Sequence, residues 1–236
     1  MELTPIPVSV DTLKTFAKLH RAAQAKLIKE DAALDSLPEE EQQAAGSLNE
    51  YVGGVANLTQ AELKGIDLSG LNLQGTVFKD AHLQNANFED ANLQNASFEG
   101  AHVEEANFTT ANLREADLQW SKLNRAVLDA ADLRQANLSH ITATHSSWKG
   151  ADLRQVELTD AHLEDALLES ADLRESTLRH CHLNRAVLRW AKVEHAHIEG
   201  IKLEQADVSG TVLEGLNRDN PLGGVASESS PKFSVA

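Results

Sequence analysis

The sequence predicts an all-β solenoid, a square β-helix of about eight coils with an α-helical segment at its N-terminal end. Three observations predict it. Over residues 56–215 the chain repeats every five residues without insertion or deletion. Stepping by five from Leu58 to Leu213 gives 32 centres, of which 22 are Leu, four Phe and three Val, with Ile198, Ala143 and Trp148 completing the set. Two residues before the centres, 21 of the 32 positions are Ala, and the other three positions of each unit are mostly polar. An internal period of this strength outranks local propensity.

A period of five excludes the regular elements. On an α-helix five residues advance about 500°, so the centres would spiral with no common face. On a straight strand an odd period sends successive centres to opposite faces. Within a unit, however, the Ala and the centre are two apart and point the same way in extended chain. If the chain turns a corner before the next unit, both face one axis.

A longer period counts the sides. Ala-Asn-Leu-Arg-Glu at 111–115 returns as Ala-Asp-Leu-Arg-Gln at 131–135 and 151–155, and as Ala-Asp-Leu-Arg-Glu at 171–175, each time after 20 residues. Phe78, Phe88, Phe98 and Phe108 recur at half that interval. Four units per coil explains both. The Arg residues stack on one side, and the Phe residues fall on two opposite sides and meet across the axis. Eight such coils make a rod on the order of 38 Å long.

These pentads resemble the pentapeptide-repeat family, whose pattern is Ala-(Asp/Asn)-Leu-X-X. Ala-Asn-Leu-Gln-Asn at 91–95 and Ala-Asp-Leu-Arg-Gln at 131–135 match it in full, and the resemblance covers about two-thirds of the chain. It implies a right-handed quadrilateral β-helix. For function it is unspecific, since members include quinolone-resistance proteins that bind DNA gyrase and secreted bacterial effectors.

Three domains are expected: a helical segment at 1–55, the rod at 56–215 and a flexible tail at 216–236. Pro5 and Pro7 keep the first residues extended. Ser9 or Asp11 caps a helix that runs to about Leu34, with Leu13, Phe16, His20, Ala23 and Leu27 on one stripe. A second helix starts at Ser36-Leu37-Pro38, carries Glu39, Glu40 and Glu41 in its first turn and ends before Gly53-Gly54. This pair is read as a cap over the bare first coil, with a partner-binding or export module as the alternative.

Within the rod, Gly65, Gly70 and Gly75 fall at corners, and Asn57, Asn72, Asn87, Asn92, Asn107 and Asn112 precede centres, where a side-chain oxygen bonds locally at a turn. Phe78, Phe88, Phe98, Phe108, Leu133, Leu153, Leu173 and Trp148 are core residues. Residues 139–150 are the weakest coil, with the large Trp148 filling space left by Ala143. Asn220-Pro221-Leu222-Gly223-Gly224 reads as a stop before the tail.

The formal net charge is −15, of which residues 56–215 carry −11. Such a rod repels nucleic acid and anionic membranes and attracts basic protein surfaces. One cysteine excludes an internal disulfide. The N-terminus lacks a basic and an apolar signal region, so a cytoplasmic location is expected, with delivery as a secreted effector the alternative.

Catalytic chemistry finds no support. There is no Gly-rich phosphate loop and no nucleophile with a scaffolded base, so neither an enzyme nor a cofactor is expected. His180-Cys181-His182 reads as a buried thiol between two outward histidines. His82 stacks with His102 and His162 with His182, but no carboxylate completes a metal site by the pattern, so no metal is expected. Arg114, Arg134, Arg154 and Arg174 stand beside Asn112, Asp132, Asp152 and Asp172 as a solvated salt-bridge face. The faces centred on Leu58…Ile198 and on Leu68…Val208 each total −4 and carry the outward Trp120 and Trp190.

The expectation is therefore a non-catalytic interaction rod, monomeric or an end-to-end dimer. Its acidic faces contact a basic protein partner through Glu89, Asp90, Asp117, Trp120, Glu157, Asp160 and Trp190. The alternative is DNA mimicry: occupation of the DNA site of gyrase or topoisomerase IV, protecting those enzymes from their poisons. The rod departs from the resistance members in lacking inserted loops and an apolar C-terminal helix.

Overall fold

The computed structural model describes residues 5–29, 33–214 and 233–234. The chain is a repeat β-helix. Parallel bridges join residues 20 apart, such as Asn57 with Val77, Glu62 with His82, Asp67 with Asn87 and Asn72 with Asn92. One coil thus takes four pentads. We number the faces by their inward centres: the first runs from Leu58 to Ile198, the second from Leu63 to Leu203, the third from Leu68 to Val208 and the fourth from Leu73 to Leu213.

Each pentad folds the same way for a local reason. The N–H of Ala61 donates to the carbonyl of Leu58 at 3.0 Å, closing a four-residue turn, and the same bond recurs from Ala81 to Phe78 and from Ala101 to Phe98. The third turn residue is left-handed. Every fifth residue from Gln60 to Gly210 has a positive φ, which the turn demands and which Gly, Asn and Asp supply at least cost. The residue before the centre secures the corner: the N–H of Thr59 donates to Asn57 Oδ1 at 2.9 Å, and that of Arg134 to Asp132 Oδ1 at 3.2 Å. The expected local bonding of these Asn and Asp side chains is thus present. Asn side chains also bond along the rod, Asn107 to Asn87 at 3.1 Å and Asn112 to Asn92 at 3.0 Å.

A single apolar core runs down the axis and continues into the N-terminal helix. Phe78 stacks on Phe98 at a centroid distance of 4.9 Å and Phe88 on Phe108 at 4.8 Å, while Phe78 and Phe88 meet edge to face at 5.9 Å. The two Phe columns therefore interdigitate across the axis. Leu133, Leu153, Leu173 and Trp148 are buried. Trp148 donates its Nε1–H to Ser146 Oγ at 2.6 Å, and the Ser146 hydroxyl donates in turn to the carbonyl of Ala143. The small centre and the large one share one hydrogen-bonded chain, and the bridges continue unbroken through this coil.

Ahead of the rod, β1 (Ile6–Pro7) pairs in parallel with β2 (Ala56–Asn57). Ile6 and Val8 donate to Val55 and Asn57. Pro7 has no N–H to present on the outer side, so the strand ends the ladder. Helix α1 (Val10–Lys29) starts at Ser9, whose Oγ accepts the N–H of Thr12. The expected extension of this helix to Leu34 crosses residues outside the description. Leu34–Ser36 is a separate turn of 3₁₀ helix.

The second expected helix is two. α2 (Glu39–Ala44) stops, and α3 (Leu48–Val52) restarts after Gly46 and Ser47. The cause is a capping box: Ser47 Oγ accepts the N–H of Glu50, whose carboxylate accepts the N–H of Ser47. Gly53, at φ 73°, closes α3.

These helices lie on the first coil. The N–H of Leu48 donates to the carbonyl of Asn72 at 2.9 Å, Asn49 Nδ2 to that of Gln74 at 2.8 Å, and Arg21 to that of Asp67 at 3.1 Å. His20 is buried, with Nδ1 2.8 Å from the Ala44 carbonyl. Most of the expected tail lies outside the described residues, but it is not wholly free: β3 (Thr177–Arg179) pairs with β4 (His197–Glu199), and β5 (Phe233–Ser234) adds antiparallel to β4. An open rung offers a row of unpaired groups, and this segment takes them. Among the described residues no helix is long and apolar enough to cross a membrane.

Candidate functional site

The corners place the outward side chains. Since the centre and the residue two before it point inward, the residue before the centre, the one after it and the left-handed residue beyond carry the surface. The seven expected contact residues divide between two opposite faces. Asp117, Trp120, Glu157 and Asp160 belong to the first face, and Glu89, Asp90 and Trp190 to the third. They form no single site.

On the first face the residues do converge. Asp117, Asn137 and Glu157 occupy successive rungs of one ladder. Along the adjoining corner, Trp120 stacks flat on His140 with centroids 4.0 Å apart, and His140 Nδ1 stands 3.6 Å from Asp160 Oδ2. The Trp120 side chain is 58% exposed. It also sits at φ 62°, a conformation that a bulky residue adopts at a cost. On the third face Trp190 is 65% exposed and lies against Gly210, where an added Cβ would come within 2.5 Å of Trp190 Cδ1.

Ion pairing divides the carboxylates of the rod into two groups. Along the fourth face Arg134, Arg154 and Arg174 each grip the Asp two residues back, with Nε–Oδ1 distances of 2.8 Å. Although burial pushes the Asp132 and Asp172 carboxyls up, hydrogen bonds from the paired arginines more than offset it and hold both below the usual range. Arg114 faces the neutral Asn112, and its Nε is buried without a partner. Elsewhere successive coils are tied by Lys79–Glu99 at 2.9 Å, Lys149–Glu169 at 3.2 Å, Arg185–Asp165 at 2.7 Å and Arg189–Asp207 at 2.5 Å. Among the described residues, Glu89, Asp90, Asp117, Glu157 and Asp160 have no Lys or Arg ion pair, as is true also of Asp80, Glu115 and Asp129; Asp117 lies in the field of Lys79, and Asp160 meets His140.

Cys181 is buried, its thiol donating to the Leu158 carbonyl at 2.6 Å, and burial pushes its pKa up to about 12. It is an inert core residue. The histidine pairs require one correction. The sequence pattern was read as supplying no carboxylate, but Glu164 stands between His162 and His182. A residue two beyond a histidine shares its face and direction, a relation that the five-residue register contains.

The sequence matches the model for "Pentapeptide repeat region" over residues 91–168 and that for "Pentapeptide repeats (8 copies)" over 56–95, 72–109, 161–200 and 171–210. No curated protein matches it. Among solved structures it is similar to HetL, a pentapeptide repeat protein involved in heterocyst differentiation regulation from the cyanobacterium Nostoc sp. strain PCC 7120. That likeness has 24% identity over 72% of this chain and 84% of the other, with a TM-score of 0.33. It is similar also to full-length QnrB1, a plasmid-mediated fluoroquinolone resistance protein, at 14% identity over 69% and 91%, with a TM-score of 0.44. A third is a pentapeptide repeat protein of the Arabidopsis thaliana thylakoid lumen, at 29% identity over 48% and 69%, with a TM-score of 0.27.

Proposed function

This chain belongs to the pentapeptide-repeat family, and on that footing we propose that it is a non-catalytic protein-binding rod, a right-handed quadrilateral helix of eight coils whose acidic first face holds a basic partner. Residues 1–55 serve as its N-terminal cap. The observation that carries the reading is the group around Trp120. Asp117, Glu157 and Asp160 stand there with no Lys or Arg ion pair, Asp160 meeting His140, whereas Glu99 on the same face and Asp132, Asp152, Asp165 and Asp172 on the adjoining faces are each paired with a cation of the same or the next coil.

Stability does not account for this arrangement. Unpaired like charges repel, and an exposed indole in a left-handed corner costs strain that Asn or Gly would relieve. A flat aromatic ringed by carboxylates is instead the composition of a contact hot spot for a basic surface. A second reading, occupation of the DNA site of a type II topoisomerase, draws on the acidic residues of the first and third faces, which run along opposite sides of a narrow rod.

Quantitative capture tests the first reading. The intact rod should retain a protein that the variant Asp117→Asn, Trp120→Ala, Glu157→Gln, Asp160→Asn does not. Equal capture by both would remove the first face from consideration. A supercoiling assay separates the second reading, since a DNA mimic inhibits or protects gyrase and is displaced by added DNA.

A further inference from the structure

On the second face His162 and His182 occupy the same place in successive rungs. Their ring centroids are 4.4 Å apart and the planes meet at 64°. Glu164 follows His162 by two residues, and its Oε1 lies 3.2 Å from Nδ1 of both rings. The three donor atoms all lie within 4.8 Å of one another. Burial pushes the Glu164 carboxyl up, but its own backbone N–H and the two imidazoles more than offset this and hold it below the usual glutamate range. Its other oxygen, Oε2, is buried with no hydrogen-bond partner.

We propose that His162, Glu164 and His182 bind a divalent transition-metal cation of the Zn²⁺ class, clamping two successive coils. Two imidazole nitrogens and one carboxylate oxygen are the donor set of an open zinc site. Bonds of about 2.1 Å in a tetrahedron put neighbouring donors about 3.4 Å apart, close to the two 3.2 Å separations seen here. The remaining nitrogen–nitrogen edge closes by rotation of the imidazoles about their soft ring torsions. On binding, each neutral imidazole carries its proton on Nε2, so metal entry releases no proton from it. The side chains of His162 and His182 are 46% and 27% exposed, which leaves the fourth position to water. Of the nearby cations, Arg185 is paired with Asp165, and Lys202 lies one rung beyond His182.

Two ordinary hydrogen bonds to Oε1 would give similar distances, and the chain contains its own comparison. His82 and His102 also stack, with centroids 5.0 Å apart, but position 84 is Gln. Glu104 meets His102 at 3.8 Å, and the next rung offers Lys122. Glu104 and Glu194 have buried unpartnered oxygens too, so that feature alone makes no site. Glu164 differs from both in facing two imidazoles.

Calorimetric titration of the tag-free full chain with ZnCl₂ tests the site, with Co²⁺ absorption as a second probe. Binding of one Zn²⁺ per chain is expected, weakened more than about tenfold in Glu164→Gln and in His182→Gln and unchanged in Glu104→Gln. In the unaltered protein, Zn²⁺ should protect His162 and His182 from diethyl pyrocarbonate, read by mass spectrometry. Absence of saturable binding up to millimolar Zn²⁺ would overturn the proposal. So would wild-type affinity in both ligand variants, or modification of both histidines at an undiminished rate.

Discussion

The indole of Trp120 lies on the imidazole of His140, with centroids 4.0 Å apart and planes 9° from parallel. One coil separates the two residues, so the stack runs along the rod and holds the indole as a fixed plate. A plate that is already ordered loses little side-chain entropy when a partner covers it.

The first prediction concerns that residue. Trp120→Asn should change stability by no more than about 1 kcal/mol, because the relief that Asn brings to the left-handed corner offsets the lost stack on His140. Partner retention should nevertheless fall. Equal retention, or a large drop in melting temperature, would show that Trp120 serves the fold.

The second concerns the register. Leu133 is fully buried, so Leu133→Lys should abolish cooperative melting by placing a charge in a closed core. Arg134→Lys, one residue on, keeps the charge and loses only the forked grip on Asp132, at a cost of about 0.5 kcal/mol. Similar thermal melts for the two would contradict the inward and outward assignment.

The third uses acid. Asp132 and Asp172 titrate below their ordinary value. The stability that they contribute is present above the unfolded value near 3.8 and is lost as pH falls through the lower folded value. Melting temperatures of the intact rod and of Asp132→Asn, Asp172→Asn should differ by a constant amount between about pH 7 and 5, and the gap should close below about pH 4. Equal melting temperatures between pH 7 and 5 would mean that the arginine forks add no stability.

The fourth removes residues 1–55. Without β1 and the helices, the first coil exposes unpaired groups at Asn57 and Asn72 and an open apolar end. The truncated rod should aggregate or fray, as read by light scattering and hydrogen exchange. A monomer that melts like the full chain would contradict the cap.

How much of this was legible in the sequence follows from what carries each feature. The five-residue register located the core from Leu58 to Leu213, because one chemical rule, large centre and small neighbour, is repeated at every pentad. The 20-residue echo gave the Phe columns and the Arg ladder. The break between α2 and α3 is less legible, because α2 and α3 span only six and five residues and the Ser47–Glu50 capping box that restarts the chain is a local signal inside one continuous polar stretch. The meeting of Glu164 with His182 was missed because it needs the two-residue and the 20-residue offsets taken together. The pairing that leaves Asp117, Glu157 and Asp160 without cations depends on rotamers, which composition by face does not contain.

The claim that these three carboxylates carry binding is tested most directly by the salt dependence of affinity for the captured partner. The measurement compares the intact rod with Asp117→Asn, Glu157→Gln, Asp160→Asn. Exposed charges are screened over about 8 Å at physiological ionic strength. The account predicts that affinity of the intact rod falls steeply as salt rises, and that the variant binds more weakly with a visibly flatter slope. Equal slopes for the two proteins, or an affinity that salt leaves unchanged, would contradict it.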